Sequence, residues 1–175
     1  MSQPIRAILV VLAPAVVALV VVAPGAADTS GSETFNGVIV TSGTSGDRVV
    51  ISSVVRAKGV FTGVGRIVEV PNLPGDPDNV SRDDLVFPQG TMHLVSTTVD
   101  FSLSLNQRSC KANVTVEQTG EIVGGTGQFA NASGTSSATV AGQGILARNH
   151  DGSCSFDQAS LHEVDTIASS GTLSY

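Results

Sequence analysis

The stretch EIVGGTGQFANASGTSSATVAGQG, Glu121–Gly144, decides how the chain is read. Within it, GTGQFA, Gly125–Ala130, fits the dinucleotide-binding spacing G-x-G-x-x-G/A. That spacing works only where the loop follows a parallel strand and opens a helix whose N-terminus holds a pyrophosphate. The residues that follow, NASGTSSATVAGQG, are poor helix formers and carry no apolar stripe at helical spacing. No P-loop lysine follows the glycines. A β corner accounts for more of the stretch. Glu121–Val123 ends a strand, and Gly124, Gly125 and Gly127 allow positive φ and close backbone approach. Phe129 folds back to plug one end of a core. Asn131–Gly134 turns the chain, and Ser136–Leu146 resumes an extended run.

The rest of the chain agrees with this reading. In TVDFSLSL, Val99, Phe101, Leu103 and Leu105 alternate with polar residues, the period of a half-buried strand. In CKANVTVEQ, Cys110, Ala112, Val114 and Val116 do the same, and NQRS between the two makes an antiparallel hairpin. Further strands are expected over 34–41, 48–56, 59–70, 90–95 and 155–166. PNLPGDPDNVSRDD, Pro71–Asp84, reads as an exposed loop, because its prolines exclude a central strand. Many short strands with frequent turns give one all-β antiparallel sandwich or barrel.

IVGGTGQFANASG resembles the glycine-turn motif of plant dirigent proteins and of the allene oxide cyclase barrel group. Gly124, Gly125, Thr126, Gly127, Phe129, Ala132 and Gly134 each match that motif. The resemblance implies an eight-stranded antiparallel barrel with an apolar cavity, often assembled as a homotrimer. The chain is also similar to exported bacterial proteins of this barrel type. The catalytic motifs of the family lie away from the glycine turn and have no counterpart at named positions here.

The N-terminal segment reads as a targeting sequence. MSQPIR carries Arg6 and no acid, AILVVLAPAVVALVVVA is an uncharged apolar run, and PGAADTS offers a small-residue exit. Residues 1–27 are therefore expected to be a signal peptide cleaved after Ala27, with an uncleaved anchor as the rival. Residues 28–33 are a polar leader, and 34–175 the barrel domain of a secreted protein. In an oxidising compartment Cys110 and Cys154 are expected to form a disulfide tying the start of one strand to the start of a later one. Two cysteines without paired histidines do not build a tetrahedral zinc site.

The chain has fifteen Asp and Glu against nine Lys and Arg, and only 4% aromatic residues. It lacks the basic footprint and the stacking groups that nucleic acid needs. No second apolar run is long enough to span a membrane.

Candidates for chemistry are few. Glu69, two residues after Ile67 in RIVEV, is the best inward carboxylate, and burial would raise its pKa and suit it to proton transfer. Pairing with Arg66 or edge exposure is the plainer alternative. His93 shares a face with Val95, Val99 and Phe101 if TMHLVSTTVDF is one uninterrupted strand, as an acid–base group or as a core histidine. His150 belongs to the turn NHDGS, and in LHEVDT His162 has the parity opposite to Leu161, Glu163 and Asp165. No G-x-S-x-G nucleophile elbow is present. Asp76 and Asp78 begin like a calcium loop but lack its glycine and closing glutamate, so a solvated acidic loop is expected there. Asn79, Asn113 and Asn131 begin glycosylation sequons. No cofactor or metal is implied.

Two functions compete. One is an exported, non-catalytic barrel that holds an apolar small molecule or contacts another surface. The other is an isomerase or dirigent-like coupling protein whose cavity constrains a reactive lipid or phenolic intermediate. Glu69 or His93 lining an open cavity favours the second, and a lumen filled by apolar side chains favours the first.

Overall fold

The computed structural model describes residues 29–43 and 47–175. The signal segment and its cleavage site lie outside the described residues. Eight strands follow in chain order: β1 Ser30–Ser42, β2 Val49–Gly59, β3 Thr62–Val70, β4 Val80–Phe87, β5 Gly90–Asn106, β6 Lys111–Gly125, β7 Gly134–Ile145 and β8 His162–Ser174. Each pairs antiparallel with the next, and β8 returns to β1, so the sheet closes as a barrel. An eight-stranded closure leaves an interior just wide enough for side chains to fill.

Alternation fixes which residues fill it. Along β1, Glu33, Phe35, Gly37, Ile39 and Thr41 are buried, while Asn36 is exposed and Val38 and Val40 are half-buried. Val55 and Ala57 of β2, Ile67 of β3, Leu85 and Phe87 of β4, and Ile122 of β6 share the interior.

The two ends differ. At the end holding the β2–β3, β4–β5 and β6–β7 connections, Phe61, Phe87, Phe129 and Tyr175 meet edge to face. Ring centroids are 4.9 Å apart for Phe61–Phe87, 5.0 Å for Phe61–Phe129 and 5.3 Å for Phe129–Tyr175. Such contacts add to the large apolar area that each ring buries. Met92 and Leu173 complete the plug.

The glycine stretch is the corner of this plug. Gly127–Phe129 forms a single 3₁₀ turn, too short to offer a helix N-terminus to a phosphate, and it places Phe129 in the core at 0% exposure. Gly127 takes φ 59°, as expected of a glycine required by its backbone. Gly125 is needed for a different reason. A Cβ there would lie 2.0 Å from the Thr91 carbonyl oxygen, so the constraint is close strand approach rather than positive φ. Gly124 at φ 125° also adopts the positive range, Ala132 is buried, and β7 starts at Gly134.

Four expectations need correction. Ser30–Glu33 is not a leader but the start of β1, and Glu33 is 1% exposed. Its carboxylate accepts from the Phe61 amide at 2.8 Å and the Thr34 amide at 3.2 Å, which compensates the buried charge. The loop expected over 71–84 ends at Asn79, and Val80–Asp84 belongs to β4. The strand expected over 155–166 begins only at His162 and runs on to Ser174. Segments 90–95 and 99–105 are one strand, β5, with register shifts between Met92 and Leu94 and between Thr98 and Asp100.

One seam is short. β2 and β3 pair only from Val55–Gly65 to Lys58–Thr62. Beyond Val55 the strands splay, and the Ser53 hydroxyl replaces the ladder by donating to the Ile67 carbonyl at 2.6 Å and accepting from its amide at 3.2 Å. Cys110 and Cys154 form the expected disulfide, with Cα atoms 5.4 Å apart. Cys110 lies directly before β6, but Cys154 sits within the β7–β8 connection rather than at a strand start.

Candidate functional site

At the end opposite the plug the inner wall is charged. Inward parity in β3 runs through Ile67 to Glu69, and in β4 through Leu85 to Asp83, and the two carboxylates face each other across the Glu69–Asp83 pair. In β8 the same parity runs from Ile167 to Asp165 and Glu163. Gly142 makes room for them, since a Cβ at that position would lie 2.6 Å from an Asp165 oxygen. Arg48 sits among these acids. Its guanidinium donates to Glu69 at 2.5 Å and lies 3.7 Å from Asp165. Burial works against the Arg48 charge, but the hydrogen bond to Glu69 and the fields of Glu69, Glu163 and Asp165 together raise its pKa.

One guanidinium does not balance four carboxylates. Burial first, then the charge of Glu69, pushes Asp83 up to about 6 despite the opposing pull of Arg48, and Asp84 adds to the rise. Burial first, then Glu163, pushes Asp165 up to about 6, again against Arg48 and with help from Glu69. In the unfolded chain both groups return to the ordinary value near 4. The folded state therefore holds these protons more tightly, and stability falls as pH rises from about 4 through 6. Asp76 is shifted the other way, to about 2, by its hydrogen bonds to Arg82 and the Leu73 amide, so it titrates below this window. The melting temperature is expected to be higher at pH 5 than at pH 7. Replacing Asp83 and Asp165 together by Asn should flatten that difference. A melting temperature that falls steadily from pH 7 to pH 5 contradicts the assignment.

Within the barrel at this end lies a narrow cavity of about 70 Å³. Ile39, Val55, Ile67, Leu85, Val140 and Ile167 supply apolar lining, Ser96, Gln118, Ser136 and Ser169 supply polar groups, and Asp83 stands at its edge. Above it, β5 runs past the end of its pairing with β4, which stops at Val80–Thr97. The lumen-side residues of that arm, Phe101 and Leu103, are opposite Val116 and Val114 and remain 58% and 43% exposed. The mouth is thus part acidic and part apolar. On the wall beside it, Thr41 pairs in register with Glu163 and is 0% exposed, and its hydroxyl has no hydrogen-bond partner among the described residues.

The residues singled out by sequence are scattered. Glu69 is inward, as its spacing indicates, but its partner is Arg48 and not Arg66. His93 is not on the core face. Met92 and Leu94 point inward, so His93 between them points out beside Asp84 on β4, with Nδ1 2.6 Å from the carboxylate and the ring 44% exposed; the shift between Thr98 and Asp100 then puts Phe101 on the opposite face. His150 is an exposed turn residue, and His162 faces out at the start of β8. Asp76 is held by Arg82 through two hydrogen bonds of 2.7 and 3.0 Å. Sequence reasoning missed Arg48, Asp83 and Thr41 as parts of one site. The usable signal was the alternation Asp83, Leu85, Phe87 in RDDLVF, which the preceding prolines obscured.

Comparison of the chain with models of known families, with curated proteins and with solved structures finds no match. No helix among the described residues is long and apolar enough to cross a membrane.

Proposed function

We propose that the protein is an exported barrel of the allene oxide cyclase and dirigent type that binds an apolar small molecule at its mouth and does not transform it. The glycine-turn motif supports the type. The observation that carries the function is the asymmetry of the barrel, with a four-ring aromatic plug at one end and an apolar, acidic funnel over a cavity at the other. Ligand pockets usually reach ~300–1,000 Å³. A cavity of about 70 Å³ admits only a compact apolar group, so the remainder of a ligand rests against Phe101 and Leu103. His93 lies on the outer surface and Glu69 is held by Arg48, which leaves neither disposed for proton transfer in the lumen.

The alternative, an isomerase or coupling protein that constrains a reactive lipid or phenolic intermediate, is favoured by one group. Asp83, half protonated near pH 6 at the edge of the cavity, is suited to exchange a proton. Mass spectrometry of small molecules carried through purification of the exported protein separates the two. The binding reading expects one apolar compound, recovered unchanged after stripping and reloading. Recovery as an isomer or coupled product overturns the non-catalytic reading, and a protein that carries nothing and reloads nothing overturns both.

A further inference from the structure

We infer that the ligand of this mouth is a small protonated amine with a compact apolar tail, its ammonium group held among Glu163, Asp165 and Asp83 and its tail in the cavity below. The inference rests on the reading that the mouth binds a small molecule, keeps an apolar tail for it and gives it a cationic head.

Three observations converge on one place. First, Glu69, Asp83, Glu163 and Asp165 converge on a single guanidinium, that of Arg48, and only Glu69 is engaged by it at hydrogen-bond distance. Burial raises Asp83 and Asp165 first; beyond that Glu163 repels Asp165 and Glu69 repels both, and a cation brought among these carboxylates relieves that repulsion. An anionic head such as a fatty-acid carboxylate meets the opposite field.

Second, Thr41 carries a buried hydroxyl oxygen with no partner among the described residues, on the same inner wall in register with Glu163. Buried hydroxyls without a partner are uncommon, because each forfeits its hydrogen bonds to water. An ammonium carries three donors and no acceptor, so it matches a site of carboxylate and hydroxyl acceptors.

Third, the space directly beneath is narrow, about 70 Å³. A cavity of about 150 Å³ holds benzene, so one of about 70 Å³ takes roughly three heavy atoms, the branched end of an alkyl group. Ile39, Val140 and Ile167 line it below the acids, which suits a short branched alkyl group. An alkyl ammonium has a pKa near that of lysine, ~10.4, and stays charged throughout the range in which Asp83 and Asp165 titrate. Its binding is therefore expected to strengthen from pH 5 to pH 7 as these two carboxyls ionise, with Glu69, Glu163, Asp84 and Arg48 as the charged groups facing them.

The test uses the full exported chain with its disulfide intact and three probes with branched alkyl tails: 3-methylbutan-1-amine, 3-methylbutan-1-ol and 4-methylpentanoate. Amide resonances are followed by NMR titration at pH 7. Expected is saturable binding of the amine, with shifts at Ile39, Val140, Asp165 and Ile167. The alcohol should bind at least about fivefold more weakly and the carboxylate not at all. Asp83→Asn with Asp165→Asn should weaken the amine about tenfold and leave the alcohol unchanged. Thr41→Val should weaken the amine about threefold without lowering the melting temperature, since it removes an unsatisfied hydroxyl. Equal affinity for amine and alcohol, or tighter binding of the carboxylate, overturns the amine inference while the apolar site stands. Amine shifts confined to acids outside the mouth also overturn it. No shift with any probe overturns both this inference and the binding reading beneath it.

Discussion

Replacing Phe129 by Ala lowers the stability of the barrel by about 3–5 kcal/mol, the usual cost of removing a buried aromatic ring. The ring is fully buried and lies edge-on to Phe61, Phe87 and Tyr175, so its loss takes a contact from each of the three and leaves Phe61 alone to join the other two. The surrounding backbone relaxes little. Gly125 and Gly127 already hold the corner against the Thr91 and Gln89 carbonyls, so the cavity does not close by collapse. In a protein of this size, one kcal/mol corresponds to about 2–4 °C, so the melting temperature should fall by on the order of 10 °C. Phe129→Leu keeps most of the volume and should lose less than half as much. Urea unfolding of the two variants measures this. A Phe129→Ala protein within about 1 kcal/mol of the parent would mean that the plug does not seal the core.

The second large effect comes from the cross-link. Cys110 and Cys154 are 44 residues apart in sequence, and closing a loop of that length restricts the unfolded chain by about 3–4 kcal/mol in the chain-entropy model. The double replacement by Ala is expected to lose that amount. Cys110 has a further peculiarity. It takes φ 54°, the left-handed region that residues with a Cβ rarely adopt. Cys110→Gly with Cys154→Ala should therefore be about 1 kcal/mol more stable than the pair of alanines. Denaturant midpoints of the three proteins decide the matter, and a double-alanine protein as stable as the parent would sink the chain-entropy account.

How far the sequence led depends on which residues are asked about. Strict alternation in β5, β6 and β7 and the glycine corner before β7 made the all-β class and the hairpin legible, because the side-chain period of two survives any choice of partner strand. β4 was lost because three prolines at 71, 74 and 77 end just before it, and proline punctuation was carried too far into VSRDDLVF. With β4 went Asp83. His93 was grouped with Phe101 on one apolar face because the register shift between Thr98 and Asp100 reverses parity, and no residue in TMHLVSTTVDF announces it. Arg48 could not be grouped with Glu69 and Asp165 from sequence at all. Their meeting depends on strand order around a closed ring, which brings β3 and β8 to one mouth although they are never neighbours in the sheet.

The short β2–β3 seam has a consequence for how the ring comes apart. A closed barrel has no free edge from which to fray, so its first large opening must create two edges at once. The least costly place is where the ladder is shortest, between Val55–Gly65 and Lys58–Thr62, with only side-chain links above it, Ser53 to Ile67 and Arg48 to Glu69, among the described residues. Hydrogen exchange through that breach would then proceed well below the free energy of global unfolding, while the long β5–β6 ladder stays protected. The same hinge line runs down to Glu69 and Arg48 at the mouth. A molecule too bulky for the funnel would thus find its transient doorway in the side wall, at the one place where the hoop is already half unfastened.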